Sequence, residues 1–133
     1  MSIPEARTFW ELLEERVALT PDAQLEQRMP SLLPSFFGCT GQRCLSGSVL
    51  VPVGDVADRL VEQFTAAAKT VSVGDGLDEQ TFMGPLISAA HRDRVLAYIA
   101  KGIDEGADLL LDGRGAKVDG FPDGFFVGPT VFD

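Results

Sequence analysis

Apolar runs of strand length alternate with longer apolar stripes of helical period from residue 49 onward. Residues 49–53 (Val-Leu-Val-Pro-Val) are a short β-branched run that predicts a buried strand. Residues 109–111 (Leu-Leu-Leu) and 125–132 are two further strand candidates. Because helical patterns separate these runs, the sequence predicts an α/β fold with a few-stranded, parallel sheet and flanking helices.

Two helices are predicted between those strands. The first begins at an Asp55 cap and ends at Gly74, and its apolar side chains fall on one stripe. The second begins at a Ser88 cap and ends at Gly106, and its predicted buried residues are Val95, Leu96, Ile99 and Ile103. The glycine- and acid-rich segment 74–85 indicates a long connection.

The first third of the chain is less regular. Thr8 and Glu11 have the spacing of a capping box, and apolar residues follow at helical period as far as Val17, which predicts a helix ending before residues 20–22 (Thr-Pro-Asp). The apolar stretch 25–37 contains Pro30 and Pro34. Since an internal proline removes a hydrogen-bond donor and clashes with the preceding turn, no regular long helix is expected there.

Charge and composition exclude several classes of protein. The 133 residues suffice for one ordinary domain. Twenty acidic against 11 basic residues give a net charge of −9, which disfavours nonspecific binding to nucleic acid or anionic lipid. The sequence shows neither a secretory signal nor a membrane-spanning run, and two cysteines are too few for a disulfide framework. A reducing, cytoplasmic setting is therefore expected.

The loop at residues 37–44 (Phe-Gly-Cys-Thr-Gly-Gln-Arg-Cys) carries the clearest chemical signal. A cysteine acts as a nucleophile only as the thiolate, and Arg43 places a positive charge beside Cys44. The glycines allow backbone N–H groups to turn toward a developing oxyanion. The loop therefore indicates an activated cysteine without naming a substrate. On spacing alone, a buried structural Cys44 is the alternative, because free cysteines are usually buried.

Residues 37–44 resemble the active-site cysteine signature of the aldehyde dehydrogenase superfamily. Further segments resemble the same family in order and rough spacing, and they lie at residues 83–86 (Met-Gly-Pro-Leu), 105–107 (Glu-Gly-Ala), 111–114 (Leu-Asp-Gly-Arg) and 126–130 (Phe-Val-Gly-Pro-Thr). Among the branches of that family, the residues of these segments are most similar to those of the CoA-acylating methylmalonate-semialdehyde dehydrogenases. Residues 32–133 are accordingly identified as a partial aldehyde dehydrogenase catalytic domain, and residues 1–31 as an N-terminal helical segment outside it.

The resemblance implies a role for two residues of the loop. Cys44 occupies the position of the nucleophile that attacks the aldehyde, and its backbone N–H that of one oxyanion donor. Arg43 occupies a position suited to hold a substrate carboxylate, since a guanidinium binds one in bidentate fashion. A surface arginine is the alternative. The intact family enzymes use NAD as hydride acceptor, and CoA or water resolves the thioester.

The resemblance also implies that parts of the enzyme lie outside this sequence. No Gly-x-Gly-x-x-Gly follows a strand, so neither NAD nor another cofactor is expected to bind this chain alone. The expected function is therefore that of a fragment carrying the nucleophile but inactive by itself. The alternative is a noncatalytic partner subunit or gene remnant. Uncovered sheet edges predict association with itself or with a full-length relative, and the weakest packing is expected in residues 1–35.

Other candidates are weaker. Residues 7–23 resemble the N-terminus of AMP-forming acyl-CoA ligases over a short stretch, and a plain amphipathic helix is the alternative. His91, the only histidine, is expected to be solvated in the first turn of a helix, and a cysteine hydrolase would require it near Cys44. No cluster has metal-ligand spacing, and the acidic residues Asp75, Asp78 and Glu79 are expected to be a solvated loop.

Overall fold

The computed structural model describes residues 16–133. Two short sheets and three α-helices follow one another along the chain. Their order is β1 (Arg16–Leu19), α1 (Leu25–Phe37), a 3-10 turn (Gly38–Gly41), β2 (Val49–Pro52), a 3-10 turn (Gly54–Val56), α2 (Ala57–Ala68), α3 (Ala89–Asp104), β3 (Leu109–Leu111) and β4 (Val131–Phe132). The predicted α/β class and the strands at residues 49 and 109 are confirmed.

The two sheets differ in direction. β1 and β2 are parallel, with Arg16 opposite Val49 and Leu19 opposite Pro52, as predicted. β3 and β4 are antiparallel, and here the prediction of parallel pairing is wrong. Residues 112–130 contain no crossover helix, and a parallel return requires one.

The predicted last strand, residues 125–132, is reduced to Val131–Phe132. Phe125 and Gly128, which precede it, hydrogen-bond to loop residues. The Leu86 amide donates to the Phe125 carbonyl (2.8 Å), and the Gly128 amide donates to the Gly113 carbonyl (2.8 Å). These loop contacts occupy the backbone N–H and C=O groups that a longer last strand would need for pairing with β3.

The helix α1 spans 13 residues with Pro30 and Pro34 inside it, so the expectation of an interrupted helix is wrong. Leu25, Leu32 and Phe37 are buried on its inner side. Burial of a side chain of this size stabilises the folded state by about 1.5–3 kcal/mol. The three buried side chains together offset the cost of the two prolines, which is ~3 kcal/mol for each. Pro30 lies on the exposed side, where water can satisfy the carbonyl groups that lose a donor.

The caps of the next two helices give mixed outcomes. Ser88 caps α3 as predicted, because its Oγ accepts a hydrogen bond from the His91 amide (3.2 Å). Asp55 does not cap α2, which follows a 3-10 turn without a side-chain cap and ends at Ala68, well before Gly74. A 3-10 turn satisfies the first amides locally, so the side-chain cap is dispensable.

The segment before α1 differs from the prediction. Arg16–Leu19 is a strand where a helix was expected, because pairing with β2 overrides the local apolar period. The rest of that predicted helix, and most of the segment similar to acyl-CoA ligases, lies outside the described residues. The predicted division between residues 31 and 32 falls inside α1.

The main hydrophobic core joins β1, α1, α2 and the segment around residue 83. Its buried members are Leu19, Leu25, Leu32, Phe37, Val56, Leu60, Phe64, Ala68 and Met83. Three of them precede residue 35, so the described part of residues 1–35 contributes to the core. The prediction of weakest packing in residues 1–35 also covers residues outside the described part, and it stays a prediction. A smaller cluster of Leu86, Ile99 and Val127 lies under α3, whereas Ile103, predicted buried, is exposed.

Candidate functional site

The loop between α1 and β2 carries both cysteines. Its backbone turns through three consecutive left-handed residues, Cys39 (φ 51°), Thr40 (φ 56°) and Gly41 (φ 69°). This conformation costs a non-glycine residue roughly 1–2 kcal/mol, so neighbouring contacts must hold it. The Gln42 amide closes the turn by donating to the Cys39 carbonyl (3.0 Å).

Two side chains attach this loop to residues 84–87. The Thr40 hydroxyl donates to the Gly84 carbonyl (2.8 Å). The Ile87 amide donates to Gln42 Oε1 (3.0 Å), and Gln42 Nε2 donates to the Cys39 carbonyl (3.4 Å). Residues more than 40 positions away along the chain therefore fix the loop that precedes Cys44.

Cys39 and Cys44 are both free and exposed. This exposure excludes the alternative of a buried structural Cys44. A turn around Cys44 is closed by Ser46, whose amide donates to the Arg43 carbonyl (3.1 Å) and whose Oγ accepts from the Arg43 amide (3.4 Å). Within residues 16–133, the Cys44 amide donates to no protein acceptor, so this N–H is available to an external oxygen.

The guanidinium of Arg43 lies at the C-terminal end of α1. Its Nη2 donates to the Pro34 carbonyl, which also accepts a hydrogen bond from the Gly38 amide at the C-cap of the helix. The group lies over Gly38, where an added Cβ would be 2.6 Å from Nη2. A cation here complements the negative end of the helix dipole. Arg43 is exposed, and in this conformation it connects α1 to the loop.

A cleft of about 820 Å³ lies beside the loop. Its walls come from β2, α2, α3, β3 and β4, and Thr40, Gln42 and Arg43 lie along its margin. His91 lines this cleft and is half-buried, not solvated as predicted. Cys44 is not among the lining residues, and no hydrogen bond joins Cys44 to His91 in the described part of the chain. A cysteine hydrolase needs its base within hydrogen-bond reach of the thiol, and the described residues show no such bond.

Sequence reasoning missed Thr40, Gln42 and Ser46, the residues that hold the cysteine loop. Gln42 stands at the Gln/Glu position of the signature, and this was the one sequence feature that could have identified it.

The acidic loop at residues 75–80 has local hydrogen bonds: the Leu77 amide donates to Asp75 (3.0 Å) and the Gln80 amide donates to Asp78 (2.9 Å). No group of three metal-ligating side chains occurs within residues 16–133.

The β2–α2 connection does not have the glycine pattern of a dinucleotide site. The β2–α2 connection is the place where a parallel strand leads into a helix, and it contains one glycine, Gly54. Dinucleotide sites use several glycines there so that the backbone approaches a pyrophosphate. Asp55, in the first turn, would instead repel that anion.

None of the helices in residues 16–133 is long and apolar enough to cross a membrane.

The comparisons with known proteins agree with the motifs. The aldehyde dehydrogenase family profile matches residues 14–133. Malonate-semialdehyde dehydrogenase 1 of Oceanobacillus iheyensis is 42% identical over 90% of this chain, and that of Geobacillus thermodenitrificans is 47% identical over 85%. These alignments cover 24% and 23% of the relatives, so the chain spans about a quarter of their length.

Solved structures give the same result. The methylmalonate-semialdehyde dehydrogenase of Oceanimonas doudoroffii superposes with a TM-score of 0.84 at 38% identity, over 90% of this chain and 25% of that one. A Sinorhizobium meliloti structure in complex with NAD, assigned to the same activity, gives 0.86 at 34% identity, over 90% and 24%. The profile match, the identities and the superpositions together show that the chain belongs to the aldehyde dehydrogenase family.

Proposed function

We propose that this chain carries the nucleophilic cysteine of an NAD-dependent, CoA-acylating aldehyde dehydrogenase and is inactive alone. The substrate is a short aldehyde with a carboxylate, of the malonate- or methylmalonate-semialdehyde type. One observation carries the proposal: Cys44 is exposed in an anchored loop whose sequence matches the family signature. The two free, exposed thiols suit a reducing compartment, and we assign the protein to the cytoplasm.

The first chemical step needs only residues of this loop. The Cys44 thiolate attacks the aldehyde carbon, and a sulfur–carbon bond forms while the carbonyl electron pair moves to oxygen. The resulting oxyanion accepts a hydrogen bond from the Cys44 amide, which has no other acceptor within residues 16–133. Water takes up the thiol proton when the thiolate forms and returns a proton to the oxygen, which completes a thiohemiacetal.

In this proposal Arg43 binds the substrate carboxylate after its guanidinium leaves the end of α1. Its guanidinium bonds the neutral Pro34 carbonyl at the end of α1. A carboxylate competes well for this group, because charge-assisted bidentate bonds are roughly twice as strong as neutral ones. A semialdehyde carboxylate therefore draws Arg43 away from α1 and brings its aldehyde group toward Cys44.

The later steps require parts that residues 16–133 do not supply. In the intact enzymes NAD is the hydride acceptor, and the β2–α2 connection does not fit it. Turnover by this chain alone is therefore not expected. The second candidate is a noncatalytic partner subunit or a gene remnant, and the poor fit to NAD favours it.

Timed alkylation tests the assignment of Cys44. Iodoacetamide at neutral pH followed by peptide mapping should modify Cys44 about tenfold faster than Cys39, which corresponds to ~1.4 kcal/mol in the barrier. Cys39 is the internal control, since it is also free and exposed. Malonate semialdehyde should protect Cys44 and leave Cys39 unchanged. Equal labelling of the two thiols would show that the loop does not activate Cys44.

A further inference from the structure

The apolar cleft lies between two sheets of two strands each. Val49, Leu50 and Pro52 of β2 line one side, and Leu110, Val131 and Phe132 of β3 and β4 line another. α2 and α3 contribute Leu60, Phe64, Val95 and Ile99. Within residues 16–133 each sheet stops at two strands. A two-stranded sheet is marginal in water unless a further strand or helix covers it.

The size of the cleft matches one strand. A strand residue occupies about 3.3 Å along the chain, ~4.8 Å between neighbours and ~10 Å between packed layers, or roughly 160 Å³. A volume of about 820 Å³ therefore holds about five residues of one extended segment. Five to six residues is the commonest strand length.

The comparisons identify the source of the segment. The chain superposes with a TM-score of 0.86 on a quarter of a relative, so it has the conformation of a part of a larger domain. A second copy of this chain fits less well, because each copy carries a net charge of −9 and the two repel each other. The three quarters of an aldehyde dehydrogenase chain that the superposition leaves unmatched are the occupant that this conformation favours.

We propose that this cleft is the docking site for an extended, mainly apolar segment from the complementary part of an aldehyde dehydrogenase chain. The inference rests on the proposed function for the identity of that partner. Docking places the segment against Thr40, Gln42 and Arg43 at the margin of the cleft, and thus beside the cysteine loop. The complement thereby completes the sheet and brings the remainder of the enzyme to Cys44.

Coexpression tests the docking. The probe is malonate-semialdehyde dehydrogenase 1 of Geobacillus thermodenitrificans from which the segment matching this chain has been deleted. The full chain, carrying Cys44→Ser, is expected to copurify with it at 1:1 and to gain hydrogen-exchange protection at β2, β3 and β4. Docking does not require the thiol, so the Cys44→Ser protein tests docking alone. If the protein with Cys44 intact forms the complex but shows no dehydrogenase activity, the proposed function is wrong and the docking site still stands.

Two kinds of variant show whether the cleft is the contact. Val61→Arg puts a charge into the cleft and should reduce complex formation at least tenfold, whereas Ala66→Arg on the exposed side of the same helix should not. Thr65→Val should raise the melting temperature of the free chain, because it removes a buried hydroxyl that makes no hydrogen bond, and it should leave complex formation unchanged. The absence of a complex, self-association alone, or equal binding by both arginine variants would each overturn the proposal.

Discussion

At the scale of single residues, the cysteine loop is held by contacts that offset an unfavourable backbone. Cys39 and Thr40 adopt left-handed conformations, each costing roughly 1–2 kcal/mol. The hydrogen bonds from Thr40 to Gly84 and from Ile87 to Gln42 contribute about 0.5–1.5 kcal/mol each. The loop keeps its shape because distant residues hold it, and Cys44 is presented on the surface as a result.

Gly38 and Arg43 form a coupled pair at the end of α1. Gly38 has φ −58° and ψ 136°, which alanine also adopts, but the new Cβ would displace the Arg43 guanidinium from the Pro34 carbonyl. Gly38→Ala should therefore lower the free energy of unfolding by about 1 kcal/mol. In an Arg43→Ala background the same change should be nearly neutral. Urea unfolding of the four proteins measures the coupling, and additive effects would contradict the contact.

At the scale of secondary-structure elements, burial decides against local preference in α1. The helix keeps two internal prolines because its inner side chains are buried in the main core. It is also attached to α2 where Gln63 donates to Glu26 (3.2 Å). The pKa of Glu26 is lowered, first by a backbone hydrogen bond and then by this bond from Gln63.

Replacing one of those prolines should stabilise the protein. Pro30→Ala restores an amide donor toward the preceding turn on the exposed side of α1 and relieves the ring clash. The free energy of unfolding should rise by about 1–3 kcal/mol, after allowing ~0.4–1 kcal/mol for the more flexible unfolded chain. Pro21→Ala, in the turn before α1, is the control and should lower it slightly. A destabilised Pro30→Ala protein would mean that the ring itself is needed.

Local signals predicted the elements better than their pairing. The Ser88 cap and the strand at residues 109–111 depend on neighbours in sequence and were found from sequence. β1 depends on a partner 33 positions later, and the antiparallel return of β4 depends on loop contacts, so periodicity missed both. The position of Cys44 followed from its motif, whereas the anchoring of the loop by Thr40 and Gln42 did not. Those contacts join residues 44 and 45 positions apart.

At the scale of the whole molecule, the chain has the fold of part of an aldehyde dehydrogenase and leaves apolar surface uncovered. Leu45, Leu77 and Ile87 are each more than 80% exposed, and the cleft adds a concave apolar face. Surface of this kind marks an interface or an aggregation hazard. The net charge of −9 slows aggregation without covering these side chains.

NAD should not stabilise the chain alone. A ligand raises the melting temperature only by binding the folded state, and the one-glycine β2–α2 connection with Asp55 in its first turn offers no pyrophosphate site. Thermal denaturation with and without millimolar NAD should give the same midpoint. The Sinorhizobium meliloti protein, which is known in complex with NAD, is the positive control. A clear upward shift for this chain would show a cofactor site that the fold does not suggest.

Formation of NADH tests the central claim most directly. Malonate semialdehyde, NAD and CoA are mixed with this chain alone, with the Geobacillus complement alone, and with the two coexpressed. NADH should form only in the coexpressed sample, and Cys44→Ser should abolish it while Cys39→Ser leaves most of it. NADH produced by this chain alone, or undiminished turnover in the Cys44→Ser complex, would contradict the account of a cysteine-bearing segment that a partner completes.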